Sequence, residues 1–107
     1  MNLPLPITTF FEADRNLDGD APVSAFSTDA AVTDEGQTHV GHTAIGNWWR
    51  AAKRKYSHTA EPLNMRQNDG VTEVRALVTG DFPGSPAPLT FVFVLADDKI
   101  ADLKIGA

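Results

Sequence analysis

The acidic stretch EADRNLDGDAP near the N-terminus contains the residue types of a calcium-binding loop. Oxygen-bearing side chains alternate along it as in an EF-hand loop, and a glycine stands at the sixth position: Asp14, Asn16, Asp18 and Gly19. The twelfth position should be a bidentate glutamate, but here it is Ala25. An ordinary turn between helices explains the same residues, because Gly19 permits a chain reversal and Asp20 can cap the next helix. We therefore expect that calcium does not bind here.

Three histidines, together with Asp34, are the other possible metal ligands: His39, His42 and His58. His39 and His42 are separated by a glycine turn, and their spacing follows no recognised ligand pattern. The sequence therefore predicts no metal site and no cofactor. We favour a hydrogen-bonding role in a ligand pocket for His39 or His58.

The composition indicates a single globular domain over residues 1–107, because 42% of the residues are hydrophobic. The chain has no cysteine, which excludes disulfides, thiol nucleophiles and cysteine-bound metals. A net charge of −5 argues against a nucleic-acid partner, which requires a basic face. The only basic cluster, RAAKRK at residues 50–55, has the spacing of the solvent-exposed side of a helix.

Neither a membrane span nor a secretion signal is predicted. No stretch approaches the ~20 apolar residues that a spanning helix needs. The N-terminal segment MNLPLPITTFF lacks a positively charged start, and Pro4 and Pro6 interrupt its apolar run. We therefore expect a cytoplasmic protein without a membrane partner.

Three helices are predicted in the first half of the chain. The first runs from about Ile7 to Arg15, and the second covers the short segment APVSAFS, with Asp20 as its N-cap. The third runs from Thr43 to about Tyr56. Its apolar side is formed by Ile45, Trp48, Trp49, Ala52 and Tyr56, and its basic side by Arg50, Lys53, Arg54 and Lys55.

The second half of the chain has the alternating pattern of strands. SHTAEPLNMRQ and VTEVRALVTGDF are separated by NDG, a hairpin signal, and LTFVFVLA pairs with IADLKIG across DDK. An earlier short strand, AAVTDE, precedes Gly36. Together the elements predict an α+β protein with helices on one face of a four-stranded antiparallel meander.

The order of these elements and three segments within them resemble a known superfamily. The segments are FFEADRNLDGD, FSTDAAVTDEGQTHVGHTAIGNWW and FVFVLADDKIADLKI, and the resemblance spans essentially the whole chain. The chain resembles the nuclear transport factor 2-like superfamily, in its SnoaL-like and ketosteroid-isomerase-like branch. This resemblance implies a cone-shaped cystatin-like fold, with three N-terminal helices packed on a curved, mainly antiparallel sheet. It also implies an apolar pocket for a small hydrophobic ligand, and homodimers.

The resemblance assigns a role to Asp34. In the isomerases, a segment like DAAVTDEG ends in the general-base aspartate, and Asp34 falls on that place. A carboxylate there can take a proton from the carbon next to a carbonyl and return it elsewhere. Burial in the pocket would raise its pKa toward a useful range. The alternative is that Asp34 and Glu35 simply end a strand and hydrogen-bond the following loop.

The isomerases also stabilise the developing oxyanion with a tyrosine on the first helix and a protonated aspartic acid on a late strand. The first place falls on Phe10, beside Phe11, and the second on Leu89 or Thr90. Since the loss of one donor typically costs ~10²–10³ in rate, a true ketosteroid isomerase is not expected. Residues for the charged cluster of epoxide-hydrolase relatives are present but not clearly placed together: Arg66, Arg75 and Asp81.

The pocket of a cone-shaped fold is expected to be lined by aromatic residues and histidines of this chain, which could otherwise belong to a closed core. They are Phe10, Phe11, His39, Trp48, Trp49, Tyr56, His58, Phe91 and Phe93.

Two function classes remain open on the sequence. One is an enzyme that acts on a small hydrophobic carbonyl compound as an isomerase, cyclase, dehydratase or hydrolase, with Asp34 as acid and base. The other is a non-catalytic module that uses the same pocket for ligand binding or serves in dimerisation. In LTFVFVLA one set of side chains (Leu89, Phe91, Phe93, Leu95) points one way and another (Thr90, Val92, Val94) points the other. Because both faces are largely apolar, we also expect a homodimer through the outer face of the sheet.

Overall fold

Two α-helices pack against a six-stranded sheet in the computed structural model, which describes residues 1–16 and 19–107. The helices are α1 (Leu5–Asp14) and α2 (Gly41–Tyr56). The strands are β1 (Phe26–Asp34), β2 (Gln37–Val40), β3 (Thr59–Asn68), β4 (Val71–Thr79), β5 (Ala87–Ala96) and β6 (Lys99–Gly106). Their spatial order is β2-β1-β6-β5-β4-β3, and all neighbours are antiparallel except β1 and β6, which are parallel.

The predicted meander of β3 to β6 is confirmed, and β1 with β2 extends it into the larger sheet. Three strand pairs of the six-stranded sheet are joined by two-residue turns: Glu35–Gly36, Asp69–Gly70 and Asp97–Asp98. Both residues of every turn have positive φ, which is the backbone twist that suits a tight hairpin. Glycine and aspartate adopt positive φ more readily than most residues. The NDG and DDK segments therefore located two of the three turns correctly.

The predicted second helix is wrong. The segment APVSAFS contains only a single 3₁₀ turn, Val23–Ala25, and the chain is already in β1 at Phe26. The spacing of Val23 and Phe26 suggested a helix, but Phe26 is buried because β1 pairs with Ile100 of β6 there. A partner strand more than seventy residues away decides this segment, so the fold has two α-helices rather than three N-terminal ones.

The two α-helices begin earlier than predicted. Pro6 lies within the first turn of α1, where proline is tolerated because that N–H has no helical partner. Gly41 opens α2 with a φ of 89°, which lets the chain turn sharply out of β2. Ser57 closes α2 in the left-handed region and donates its N–H to the Lys53 carbonyl at 2.9 Å. Neither helix of the described chain is long and apolar enough to cross a membrane.

The core lies between α1 and the inner face of the sheet. Phe10 and Phe11 of α1 pack against Phe91 and Phe93 of β5, with ring centroids 5.2–6.1 Å apart, and all these pairs are edge to face except the tilted pair of Phe10 and Phe91. The inner face of β4 is buried as well, through Val74, Ala76 and Val78. Register shifts between Pro62 and Asn64 of β3 and between Val94 and Leu95 of β5 interrupt the ladders, and such bulges bend a sheet.

Candidate functional site

A cavity of about 490 Å³ opens between α2, the end of α1 and the inner face of β4 to β6. Most of its wall is apolar, and aromatic rings make up much of it: Phe10, Trp48, Trp49, Tyr56, Phe82 and Phe91. Three carboxyl groups and one imidazole interrupt this surface: Asp14, Asp34, Glu35 and His58. The size and the small number of polar groups are typical of a site for a small organic ligand.

Asp34 lies on the cavity wall as the last residue of β1. Its Oδ2 accepts a hydrogen bond from the indole N–H of Trp48 at 3.1 Å. Burial raises the pKa of Asp34, and the Glu35 charge adds to this rise, while the Trp48 bond and the nearby His58 act against it. A carboxyl held in place by a neutral donor and partly desolvated is suited to taking and returning a proton.

Glu35 and Tyr56 form a second polar contact on the wall. The Tyr56 hydroxyl donates to Glu35 Oε1 at 2.8 Å, so the end of α2 is tied to the β1–β2 turn. The Tyr56 ring packs edge to face on Phe82 at 6.1 Å and contacts His58 at 6.4 Å. Tyr56 therefore connects the β1–β2 turn, Phe82 and His58 on the cavity wall.

A buried charged cluster underlies the wall. Lys53 Nζ makes three contacts of 2.7 Å, with Asp14 Oδ1 and with the backbone carbonyls of Asp14 and His58. His58 Nε2 lies 3.5 Å from the same Asp14 oxygen. Burial lowers the pKa of Lys53, and the Asp14 carboxylate opposes that change. Since all three ammonium protons have acceptors, Lys53 holds α1, α2 and the start of β3 together.

The structure places hydrocarbon at both oxyanion positions of the isomerases. Phe10 and Leu89 face the cavity, whereas Thr90 lies on the opposite side of β5 and accepts a 2.7 Å hydrogen bond from Arg75. Of the two alternatives that the sequence left open on β5, Leu89 is therefore the one that borders the cavity. Arg66 pairs with Glu73 at 3.2 Å, and Arg75 is bonded to Thr90. Within residues 1–16 and 19–107 neither arginine forms an ion pair with Asp81, so these three residues do not form the charged cluster of the epoxide-hydrolase relatives.

The residues predicted to line the pocket fall into two groups. Six belong to the wall: Phe10, Trp48, Trp49, Tyr56, His58 and Phe91. Phe11 and Phe93 lie in the core cluster, and His39 lies on β2 with its ring centroid 6.2 Å from that of Trp48. Strand alternation and helix periodicity located the inward faces, but they did not distinguish the wall of a cavity from the closed core behind it.

Sequence reasoning missed Asp14 and Lys53 as parts of the site. Lys53 was assigned to the basic, solvent-exposed side of its helix, but it is 6% exposed. Its spacing carried a signal, because Ile45, Trp49 and Lys53 recur every four residues along one helix face. In the same way Asp14 continues the buried stripe of Phe10 and Ile7 on α1. In this chain, the charged residues that end the apolar stripes of α1 and α2 are the two partners of a buried ion pair.

The structure also bears on the two metal hypotheses. Asp14, the first ligand of the calcium-loop pattern, is turned inward to Lys53, while Asp18 lies outside the described residues. His42 donates a 2.8 Å hydrogen bond to the Phe26 carbonyl. Within residues 1–16 and 19–107, no group of three or more histidine, aspartate or glutamate side chains is arranged to hold a metal ion.

Similarity to solved structures is extensive. A candidate polyketide cyclase from Sinorhizobium meliloti is 46% identical to this chain and superposes with a TM-score of 0.91. The match covers 96% of this chain and 94% of that protein. No model of a protein family matches the sequence, and neither does any curated protein.

Two more distant structures share the fold. A protein from Catenulispora acidiphila with a ketosteroid isomerase-like fold, crystallised with trimethylamine, is 16% identical, with a TM-score of 0.85 over 99% of this chain and 87% of that one. A candidate isomerase of the SnoaL-like family from Agrobacterium tumefaciens is 15% identical, with a TM-score of 0.74 over 94% and 92%. Other matching structures are described as cystatin-fold or nuclear transport factor 2-like proteins.

Proposed function

Because the chain belongs to the nuclear transport factor 2-like superfamily, in its SnoaL-like and ketosteroid-isomerase-like branch, we propose that it catalyses a cyclase-type reaction on a small hydrophobic carbonyl compound. Asp34 is the proposed proton acceptor and donor. The observation that carries this proposal is the position of Asp34, partly buried on an apolar cavity wall and held by the Trp48 N–H. The 46% identity to a candidate polyketide cyclase supports the reaction type.

The proposed reaction begins with proton transfer. Asp34 removes a proton from a carbon that lies between two carbonyl groups, so that a C–H bond breaks and an O–H bond forms on the carboxyl. The resulting enolate attacks another carbonyl of the same molecule and forms a C–C bond. The alkoxide produced then takes the proton back from the protonated Asp34 carboxyl. No net proton is gained or lost.

The hydrocarbon at the oxyanion positions favours this substrate class over a steroid. A ketone with one carbonyl places the whole enolate charge on one oxygen, which then needs strong donors. A 1,3-dicarbonyl compound shares the charge between two of its own oxygens. A wall with Phe10 and Leu89 at these places therefore suits a substrate that supplies its own charge delocalisation.

The proposal is tested by following α-proton exchange in D₂O by NMR, with ethyl 2-methylacetoacetate and 2-tetralone as dicarbonyl and monocarbonyl probes. We expect the protein to accelerate exchange of the dicarbonyl probe more than that of the ketone. The catalysed rate should rise with pH as Asp34 loses its proton, with a midpoint above the ~3.9 of free aspartate because burial raises the pKa of Asp34. Exchange at the buffer rate for both probes would contradict the proposal.

The second candidate function is a non-catalytic binding module, and the donor-free wall at Phe10 and Leu89 favours it. Such a module would bind the probes without changing their exchange rates. Saturable binding of either probe, combined with exchange at the buffer rate, would therefore select this alternative.

We also propose a homodimer through the outer face of the sheet. Leu63 of β3 is 49% exposed and Val94 of β5 is 37% exposed on the monomer surface. Light scattering should give about twice the monomer mass of 11.5 kDa, and Val94→Lys should shift the mass toward the monomer. Val40→Lys is the control, because Val40 is exposed on the short edge strand β2. A concentration-independent mass near 11.5 kDa for the unmodified protein would refute the dimer.

A further inference from the structure

The charges on the cavity wall have one sign. Three carboxylates line the cavity, from Asp14, Asp34 and Glu35, and no lysine or arginine of the described chain is among the lining residues. The other polar groups there are the His58 imidazole, the Tyr56 hydroxyl and the indole N–H groups of Trp48 and Trp49. The wall is therefore built from aromatic rings and acidic groups.

Only one of these carboxylates has a cationic partner. Asp14 pairs with Lys53 at 2.7 Å, and its buried Oδ2 lacks a hydrogen-bond partner. Asp34 and Glu35 are bonded by neutral donors, the Trp48 N–H and the Tyr56 O–H. Within the described residues, neither Asp34 nor Glu35 forms an ion pair. His58 and Lys55 act on Asp34 and Glu35 respectively without forming an ion pair with them, so the two carboxylates leave an acidic edge on an otherwise apolar cavity.

The aromatic residues of the wall already contact ammonium groups of the protein itself. Lys53 Nζ lies 5.3 Å from the centroid of the Trp49 ring, and Lys55 Nζ lies 5.0 Å from that of Tyr56. Both distances are within the range of a cation–π interaction. Aromatic rings grouped around a cavity are a common means of binding alkylammonium ions, because ring faces attract positive charge without requiring hydrogen bonds.

We infer that the cavity binds a hydrophobic cation, a protonated or quaternary amine, with its charge beside the Asp34 and Glu35 carboxylates and its alkyl groups against the aromatic wall. The inference uses the cavity of the proposed function and names a feature of its ligand, an amine in addition to the carbonyl groups. It does not require turnover. Binding and exchange can therefore be measured separately.

The test compares two probes of nearly equal shape, phenyltrimethylammonium and its uncharged carbon analogue tert-butylbenzene. Trp48 and Trp49 are the only tryptophans of the chain and both line the cavity, so tryptophan fluorescence reports on binding there. We expect the cation to bind at least about tenfold more tightly than the analogue, because a desolvated cation–π contact and charge pairing both favour it. Equal or tighter binding of the analogue would overturn the inference, and so would no fluorescence response to either probe.

Two variants test whether the carboxylates of the cavity wall cause the preference for the cation over the uncharged analogue. Asp34→Asn and Glu35→Gln should each lower the affinity for the cation several-fold and leave that for tert-butylbenzene unchanged, which also shows that the cavity is intact. Asp29→Asn is the control, because it removes the same charge from an exposed position of β1. A preference for the cation that survives both cavity variants would contradict the inference.

The two proposals fail in different ways. If the protein accelerates α-proton exchange through Asp34 but does not prefer the cation, the proposed reaction is retained and the inference of a cationic ligand is rejected. A preference for the cation without accelerated exchange would do the opposite.

Discussion

Asp34→Asn is expected to lower the rate of catalysed α-proton exchange by a factor of about 10²–10⁴, the usual contribution of a positioned general base. The amide cannot accept a proton from carbon, while its volume matches that of the carboxyl. Its oxygen can still accept the N–H of Trp48, which lies 3.1 Å from the present carboxylate oxygen. The measurement is the exchange rate of ethyl 2-methylacetoacetate in D₂O at neutral pH.

The same variant should fold at least as stably as the unmodified protein. Burial raises the pKa of Asp34, so the folded state holds this proton more tightly than the unfolded state does. The stability contributed by protonated Asp34 is therefore present at low pH and lost as pH rises through the raised pKa. Asparagine does not ionise, so the variant does not lose stability in this way as pH rises. Thermal unfolding at pH 7 should therefore show no decrease in melting temperature. Exchange activity retained in a well-folded Asp34→Asn protein would reject Asp34 as the base.

Lys53→Met is expected to destabilise the protein by about 3–5 kcal/mol, the usual cost of leaving one partner of a buried ion pair alone. The Asp14 carboxylate would lose its 2.7 Å contact, and the backbone carbonyls of Asp14 and His58 would lose their donor. Methionine fills much of the same space, so the effect reports on charge and hydrogen bonding more than on a void. Urea unfolding gives the free energy of unfolding directly.

Two further variants separate this effect from nonspecific damage. Lys55→Met is the matched control: it lies two residues away on the same helix and is exposed, so a much smaller loss of stability, that of its exposed contact with the Tyr56 ring, is expected. Asp14→Asn combined with Lys53→Met should recover part of the loss, because no uncompensated charge then remains buried. A Lys53→Met protein as stable as the Lys55→Met control would show that the buried pair does not stabilise the fold.

The strands that depend mainly on local pattern were predictable. In β4 and β5, inward and outward residues alternate, and the two-residue turns are built from residues that adopt positive φ readily. The apolar stripe of α2 is similarly evident from its periodicity. The importance of Asp34 was suggested by the family resemblance, and the structure places this residue on the cavity wall.

The predictions that were wrong concern residues whose structure depends on a partner far away in the sequence. Phe26 begins a strand because Ile100 of β6 is available to pair with it. Lys53 is buried because Asp14 of α1 and the His58 carbonyl supply acceptors across the helix packing. Periodicity describes one element at a time and assigns a lysine to solvent unless such acceptors are known.

By itself, the sequence determined the class of the fold, the inward faces of α2 and of the meander, and the absence of thiol chemistry. These features follow from alternation, helical spacing and composition, which act over a few residues. Only the tertiary structure decided which inward residues border a cavity, that Leu89 rather than Thr90 faces it, and that Asp14 and Lys53 form a buried pair. The physical reason is that cavities and buried charge pairs arise between elements, from register and packing that no single segment of the chain encodes.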